Sequence, residues 1–152
     1  MKNDTEVLKS AAREAKNLLE LCGGDLYKSV GVLERQLNVL QTRAQVLMSL
    51  AGVVLTITGF SGRRIADTSL FAQICVITGL AVVLTSAVWV WKNVLGISWT
   101  TSRLDESPED VLTGIIIKRQ KKTRSYIIGG YILCAGFVIY SLAFAKMLLF
   151  NA

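Results

Sequence analysis

LFAQICVITGLAVVLTSAVWVW, residues 70–91, runs 22 positions without a charged side chain. A bilayer hydrocarbon core about 30 Å thick is crossed by about 20 helical residues. On length alone this run reads as a membrane span. Downstream, IIGGYILCAGFVIYSLAFAKMLLF, residues 127–150, is 24 residues long with Lys146 its one charge. Upstream, VLMSLAGVVLTITGF, residues 46–60, covers 15 residues and reaches span length once 44–45 and 61–62 are added. Three spans are therefore expected. The 152-residue chain is 52% hydrophobic with a net charge of +6, and its mean hydropathy is +0.47. Apolar residues gathered into three blocks point to the membrane class.

Composition also removes several chemistries. Histidine is absent, which takes away the commonest general base, proton shuttle and metal ligand. Cys22, Cys75 and Cys134 are far apart and form no CxxC pair, so neither a zinc site nor a structural disulfide is expected. All acidic residues lie outside the spans, leaving no intramembrane carboxylate as a proton relay. No nucleophile has an acid–base partner, and no Gly-x-Ser-x-Gly elbow occurs. The expectation is a protein that is not an enzyme and uses no cofactor. No signal peptide or lipidation box is expected: the first 45 residues carry charge throughout, residue 2 is Lys, and the chain ends Phe150-Asn151-Ala152.

Charge gives an orientation. Lys and Arg number seven in 1–43, two in the first connector (Arg63, Arg64), seven in 92–124, and one, Lys146, near the far end. Positive-rich segments stay cytoplasmic. The N-terminus and second connector are expected inside, the first connector and C-terminus outside, in a bacterial inner membrane. Trp89, Trp91 and Trp99 cluster where the second span meets the cytoplasm, as interfacial anchors do. Lys146 lies about one turn from the end of its run and can snorkel to the outer interface.

Helix signals divide the rest. Asn3 and Glu6 have capping-box spacing, predicting a helix from about Thr5 to Cys22 with the seam Leu8, Ala11, Ala15, Leu18, Cys22. Gly23-Gly24-Asp25 breaks it and caps the next helix. That helix carries the seam Leu26, Val30, Leu33, Leu37, Leu40, Ala44, Leu47, Ala51, in steps of 3 and 4 that enter the first span. One continuous helix to about Phe60 is expected, roughly 52 Å long at 1.5 Å per residue. After an irregular stretch at 93–106, Ser107-Pro108-Glu109-Asp110 starts a third long helix, uninterrupted to Phe150.

The predicted fold is an all-α integral membrane protein. Three transmembrane helices form a left-handed bundle, with an N-terminal cytoplasmic helical hairpin and long helices projecting from the membrane. Its segments are a hairpin at 1–43, spans at 44–62, 70–92 and 125–150, an external loop at 63–69, and a basic connector at 93–124 that turns helical from about 108.

Small residues recur every seven positions: Ala44/Gln45, Ala51/Gly52 and Thr58/Gly59; Ala72, Thr78/Gly79 and Thr85/Ser86; Gly129/Gly130, Ala135/Gly136 and Ala143. Lipid offers no hydrophobic drive between helices, so close approach at small residues supplies the packing, and a seven-residue repeat implies a left-handed bundle. The partner helix belongs either to the same chain or to a second copy. Ser49, Thr56, Thr58, Gln73, Thr78, Thr85, Ser86 and Ser141 are expected to hydrogen-bond between helices, with a pore lining as the alternative. Lys118, Arg119, Lys121, Lys122 and Arg124 end just before the third span. They read either as an ordinary positive-inside stop signal or as a site for anionic lipid headgroups. No Gly-rich phosphate loop accompanies them, and no nucleic-acid partner is expected.

These features predict a membrane protein that self-associates as a homo-oligomer and docks a cytoplasmic protein partner through its helices. The alternative is an oligomeric, membrane-permeabilising effector. The layout of a charged helical N-terminus followed by a few short spans resembles that of small bacterial antiphage effectors and of holins. The resemblance is one of layout and assigns no residue.

Overall fold

The computed structural model describes residues 2–66, 70–96 and 107–150. Among them there are helices and no strand. α1 is Lys2–Leu21, α2 is Leu26–Ala66, α3 is Leu70–Val90 and α4 is Pro108–Phe150; a π-helical turn, Trp91–Leu95, extends α3. Three segments are long and apolar enough to cross a membrane: Leu26–Ser61, Leu70–Leu95 and Pro108–Lys146.

The breaks follow local chemistry. Gly23 and Gly24 take positive φ angles of 67° and 80°, where a Cβ is strained. The Gly24 N–H donates to Leu19 O at 2.8 Å and the Gly23 N–H to Glu20 O at 3.1 Å. This is the paired C-terminal closure that satisfies orphan carbonyls. Asp25 then caps α2, its Oδ1 accepting from the Lys28 N–H at 3.2 Å. That bond, helped by the Lys28 charge and opposed by slight desolvation, holds the Asp25 carboxyl below its ordinary value. At the start of α4, Ser107 Oγ accepts from the Asp110 N–H and donates to the Asp110 carboxylate at 2.6 Å. Pro108 at the first helical position needs no partner for the N–H it lacks.

Three boundaries differ from those expected. α1 begins at Lys2, so Asn3 lies inside the helix and not at its N-cap position; no Gly or Pro in 2–4 stops the extra turn. α2 continues through Arg63 and Arg64 to Ala66, taking four of the seven residues expected as the external loop. The stretch expected to be irregular from 93 instead opens with the π turn. Val90 and Val94 are buried on either side of its start, and Asn93 Nδ2 donates to Trp89 O at 2.9 Å where the wider turn begins.

The chain divides into two compact units: Met1–Thr42 with Gly96–Arg124, and Arg43–Leu95 with Ser125–Ala152. In the first, Ala11 and Ala15 of α1 let the backbone approach Leu33 of α2 and Val111, Leu112, Ile115 and Ile116 of α4. Leu18, Leu26, Val30 and Leu37 pack around that core. Leu8, expected in the α1 seam, is 53% exposed; Leu19 packs on the core beside Leu18. The leucine seam of α2 thus meets α1 and the start of α4 in the same chain. Residues 111–116 of α4 supply, beside α1, the apolar face that this seam meets.

In the second unit the buried positions fall 3, 4 or 7 residues apart along each helix. They are Ala44, Ala51 and Val54 on α2; Ala72, Val76, Gly79, Val83, Ser86 and Val90 on α3; and Gly129, Leu133, Gly136, Tyr140 and Ala143 on α4. Val54, Val76, Tyr140 and Ala143 form one cluster, and Ala51, Val83 and Leu133 another.

Candidate functional site

Small residues set the closest approach between α3 and α4. A Cβ on Gly79 would stand 3.0 Å from Tyr140 N and 3.2 Å from Gly136 O. A Cβ on Gly136 would meet Val83 Cγ2 at 2.8 Å and Gly79 O at 3.2 Å. Gly129 meets Val90 in the same way, and Ser86 Oγ donates to Gly129 O at 2.7 Å. Tyr140 reaches α2, its hydroxyl 3.0 Å from Thr58 Oγ1. Thr58 donates its own proton to Val54 O at 2.7 Å, so Tyr140 is the donor of the pair. Gly79, Gly129, Gly136 and Ala143 therefore pack within the chain.

The second member of each α2 pair points elsewhere. Ala51 is buried, while the neighbouring Gly52 has nothing within 4 Å of an added Cβ, and neither has Gly59. Gln45, Ser49, Thr56 and Gly59 are exposed and Gly52 half-buried. Their spacing, in steps of 4, 3, 4 and 3, draws a polar and small stripe down the outer side of α2. Thr56 Oγ1 donates to Gly52 O at 2.9 Å and Thr85 Oγ1 to Ala81 O at 2.8 Å, within their own helices. Neither the seven-residue repeat nor the hydroxyls, each taken alone, mark this face. The signal was the step from Gln45 through Ser49 to Gly52, on the side away from Ala44 and Ala51.

The five-cation segment of α4 is split by its surroundings. Arg119 lies in the first unit's core edge, its guanidinium 2.8 and 2.9 Å from the two carboxylate oxygens of Glu14, and it also donates to Gln36 Oε1. Lys122 Nζ donates to Gly96 O at 3.1 Å. Burial, then the charge of Lys118, pushes the Lys122 ammonium below its ordinary value. Lys118, Lys121 and Arg124 are exposed. Of the five cations expected at a headgroup surface, Arg119 is thus committed to an internal pair. A partner 105 residues away in sequence gives no local signal.

Trp89 and Trp91 sit at the end of α3 and in the π turn, both exposed. Trp89 Nε1 donates to Ser125 O at 3.2 Å, which fixes the ring. Trp99 lies outside the described residues. The Lys146 ammonium stands 4.2 Å from the centroid of the Phe71 ring, a cation–π distance. Among the described residues no group of three or more His, Cys, Asp or Glu could hold a metal. Comparison with known proteins finds no matching family model, no similar curated protein and no similar solved structure.

Proposed function

We propose that the chain is a non-enzymatic, three-pass membrane protein that self-associates through the outer face of α2. The observation that carries this reading is the stripe Gln45, Ser49, Gly52, Thr56, Gly59. In a bilayer a monomer would turn these groups toward lipid tails. Small residues and interhelical hydrogen bonds are what bring membrane helices together, so a second α2 is the fitting cover. The seven-residue repeat favours a left-handed bundle. The 7, 2, 7, 1 charge alternation favours a cytoplasmic N-terminus, an external C-terminus and a bacterial inner membrane. Lys118, Lys121 and Arg124 would then face anionic headgroups on the cytoplasmic side. A cytoplasmic protein partner would meet the outer face of α2 around Tyr27, Gly31 and Arg35, which border an open groove of about 550 Å³.

The same stripe favours one alternative. If several copies closed a ring, its amide and hydroxyl groups would line an opening, and the protein would be a membrane-permeabilising effector. One experiment separates the readings. Single cysteines at Ser49, Thr56 and, as a control, exposed Ile77 of α3 are oxidised in membranes, in a chain whose own cysteines are replaced by Ala. Disulfide dimers at 49 and 56, without a dimer at 77, are expected. Dimers at none of the stripe positions would overturn self-association through α2. Release of a trapped dye from vesicles holding the same protein would favour the effector. Ser102→Cys, unlabelled by an impermeant thiol reagent in intact cells, checks the orientation.

A further inference from the structure

We infer that the groove along the outer face of α3 binds one anionic phospholipid, with its phosphate on Lys92 and an acyl chain lying toward Leu84. The inference rests on the membrane reading above. It concerns a site apart from both the α2 stripe and the basic segment of α4.

Two ridges one helical turn apart in each step, Leu84–Val88–Lys92 and Thr85–Trp89–Asn93, bound a groove of about 440 Å³. Residues at i and i+4 stack on one face of a helix, so the groove runs along the axis. Ten residues at 1.5 Å each give it a length of about 15 Å, room for the upper part of a chain. Its composition is graded. Leu84 and Val88 make the apolar end, where Thr85 turns its hydroxyl back to Ala81 O; Trp89 stands in the middle, held by Ser125 O; Lys92 and Asn93 close the polar end. Among the described residues that line it, Lys92 alone is charged, so the groove favours an anion at that end and an apolar chain at the other.

That order matches a phospholipid at a membrane interface. Indole rings settle at headgroup depth, and lysine at the end of a span reaches phosphate on a flexible stem. The π turn starts at Trp91, at the level where the groove changes from apolar to polar. Such turns often mark functional positions. A free inorganic anion would use Lys92 and leave Leu84 and Val88 idle.

The test uses the full chain in a neutral detergent, titrated with phosphatidylglycerol or phosphatidylcholine and read by native mass spectrometry. One phosphatidylglycerol is expected to bind about fivefold more tightly than phosphatidylcholine, the worth of one cation beside a headgroup whose phosphate charge no choline cancels. Lys92→Gln should abolish that preference. Val88→Trp, which fills the groove without changing charge, should weaken both lipids. A variant carrying Lys118→Gln, Lys121→Gln and Arg124→Gln should keep the preference. Each site is exposed, and unchanged helix content by circular dichroism confirms folding. The inference is overturned if Lys92→Gln keeps the preference, if Val88→Trp binds as the wild type does, or if the triple variant loses it. A chain that stays in aqueous solution without detergent would instead defeat the membrane reading, which insensitivity to Lys92→Gln leaves standing.

Discussion

Gly79→Leu probes the contact on which the second unit depends. The Cβ it introduces would stand 3.0 Å from Tyr140 N, and 3.2 Å from both Gly136 O and Tyr140 Cα. All three are backbone atoms, so no side chain can swing aside. Non-bonded carbons prefer separations of about 3.5–4.0 Å; even alanine asks α3 and α4 to part by a few tenths of an ångström. Overpacking of this kind costs about 1–3 kcal/mol. Against it, replacing a helical glycine gains about 0.8–1 kcal/mol in propensity. The balance is near neutral for Gly79→Ala and about 2 kcal/mol unfavourable for Gly79→Leu. For a chain of this size each kcal/mol moves Tm by about 2–4 °C, so Gly79→Leu should melt about 4–8 °C lower. Gly130→Leu is the matched control. It lies on the same helix as Gly136 with nothing within 4 Å of its Cβ, and should melt at or above the wild-type temperature. The assay is tryptophan fluorescence on heating in detergent, with the three native tryptophans as reporters. If Gly79→Leu and Gly130→Leu melt together, α3 and α4 do not approach as described.

Two further outcomes test the first unit. Arg119→Ala should lower Tm by about 2–4 °C, since a charged hydrogen bond that is partly open to solvent is worth about 1 kcal/mol; Glu14→Gln should cost less, and in the double variant the two losses should not add if the pair is real. The Asp25 carboxyl is held below its ordinary value of 3.8. A depressed acid contributes stability above that value and loses it as pH falls through the folded one. Acidification from pH 5 toward pH 3 should therefore weaken the α1–α2 turn in the wild type. Asp25→Asn keeps a capping oxygen without the charge, and should remove that part of the pH dependence in melting curves. An identical acid response in the two proteins would sink the capping argument.

Much of the architecture lies in local spacing, and the chain follows it. Gly23-Gly24-Asp25 and Ser107-Pro108-Glu109-Asp110 stop and start helices because the groups they satisfy are within five residues of them. The three apolar runs yield helices of membrane-crossing length because length and hydropathy are sums over neighbours. Local spacing also marks the seven-residue steps, but it leaves each adjacent pair open. Ala51 or Gly52, Thr78 or Gly79, Ala135 or Gly136 could turn inward, for neighbours on a helix lie only about 100° apart. The tertiary structure decided for Ala51, Gly79 and Gly136: Gly79 lies against the Tyr140 backbone and Gly136 against Val83, and Ala51 packs with Val83 and Leu133. It likewise set Val111, Leu112, Ile115 and Ile116 against the leucine seam of α2, and drew Arg119 out of a surface cluster to Glu14. Those contacts join residues some 80–105 positions apart. Helix periodicity says that a face is apolar or charged; which distant face meets it is fixed by the packing of the whole chain.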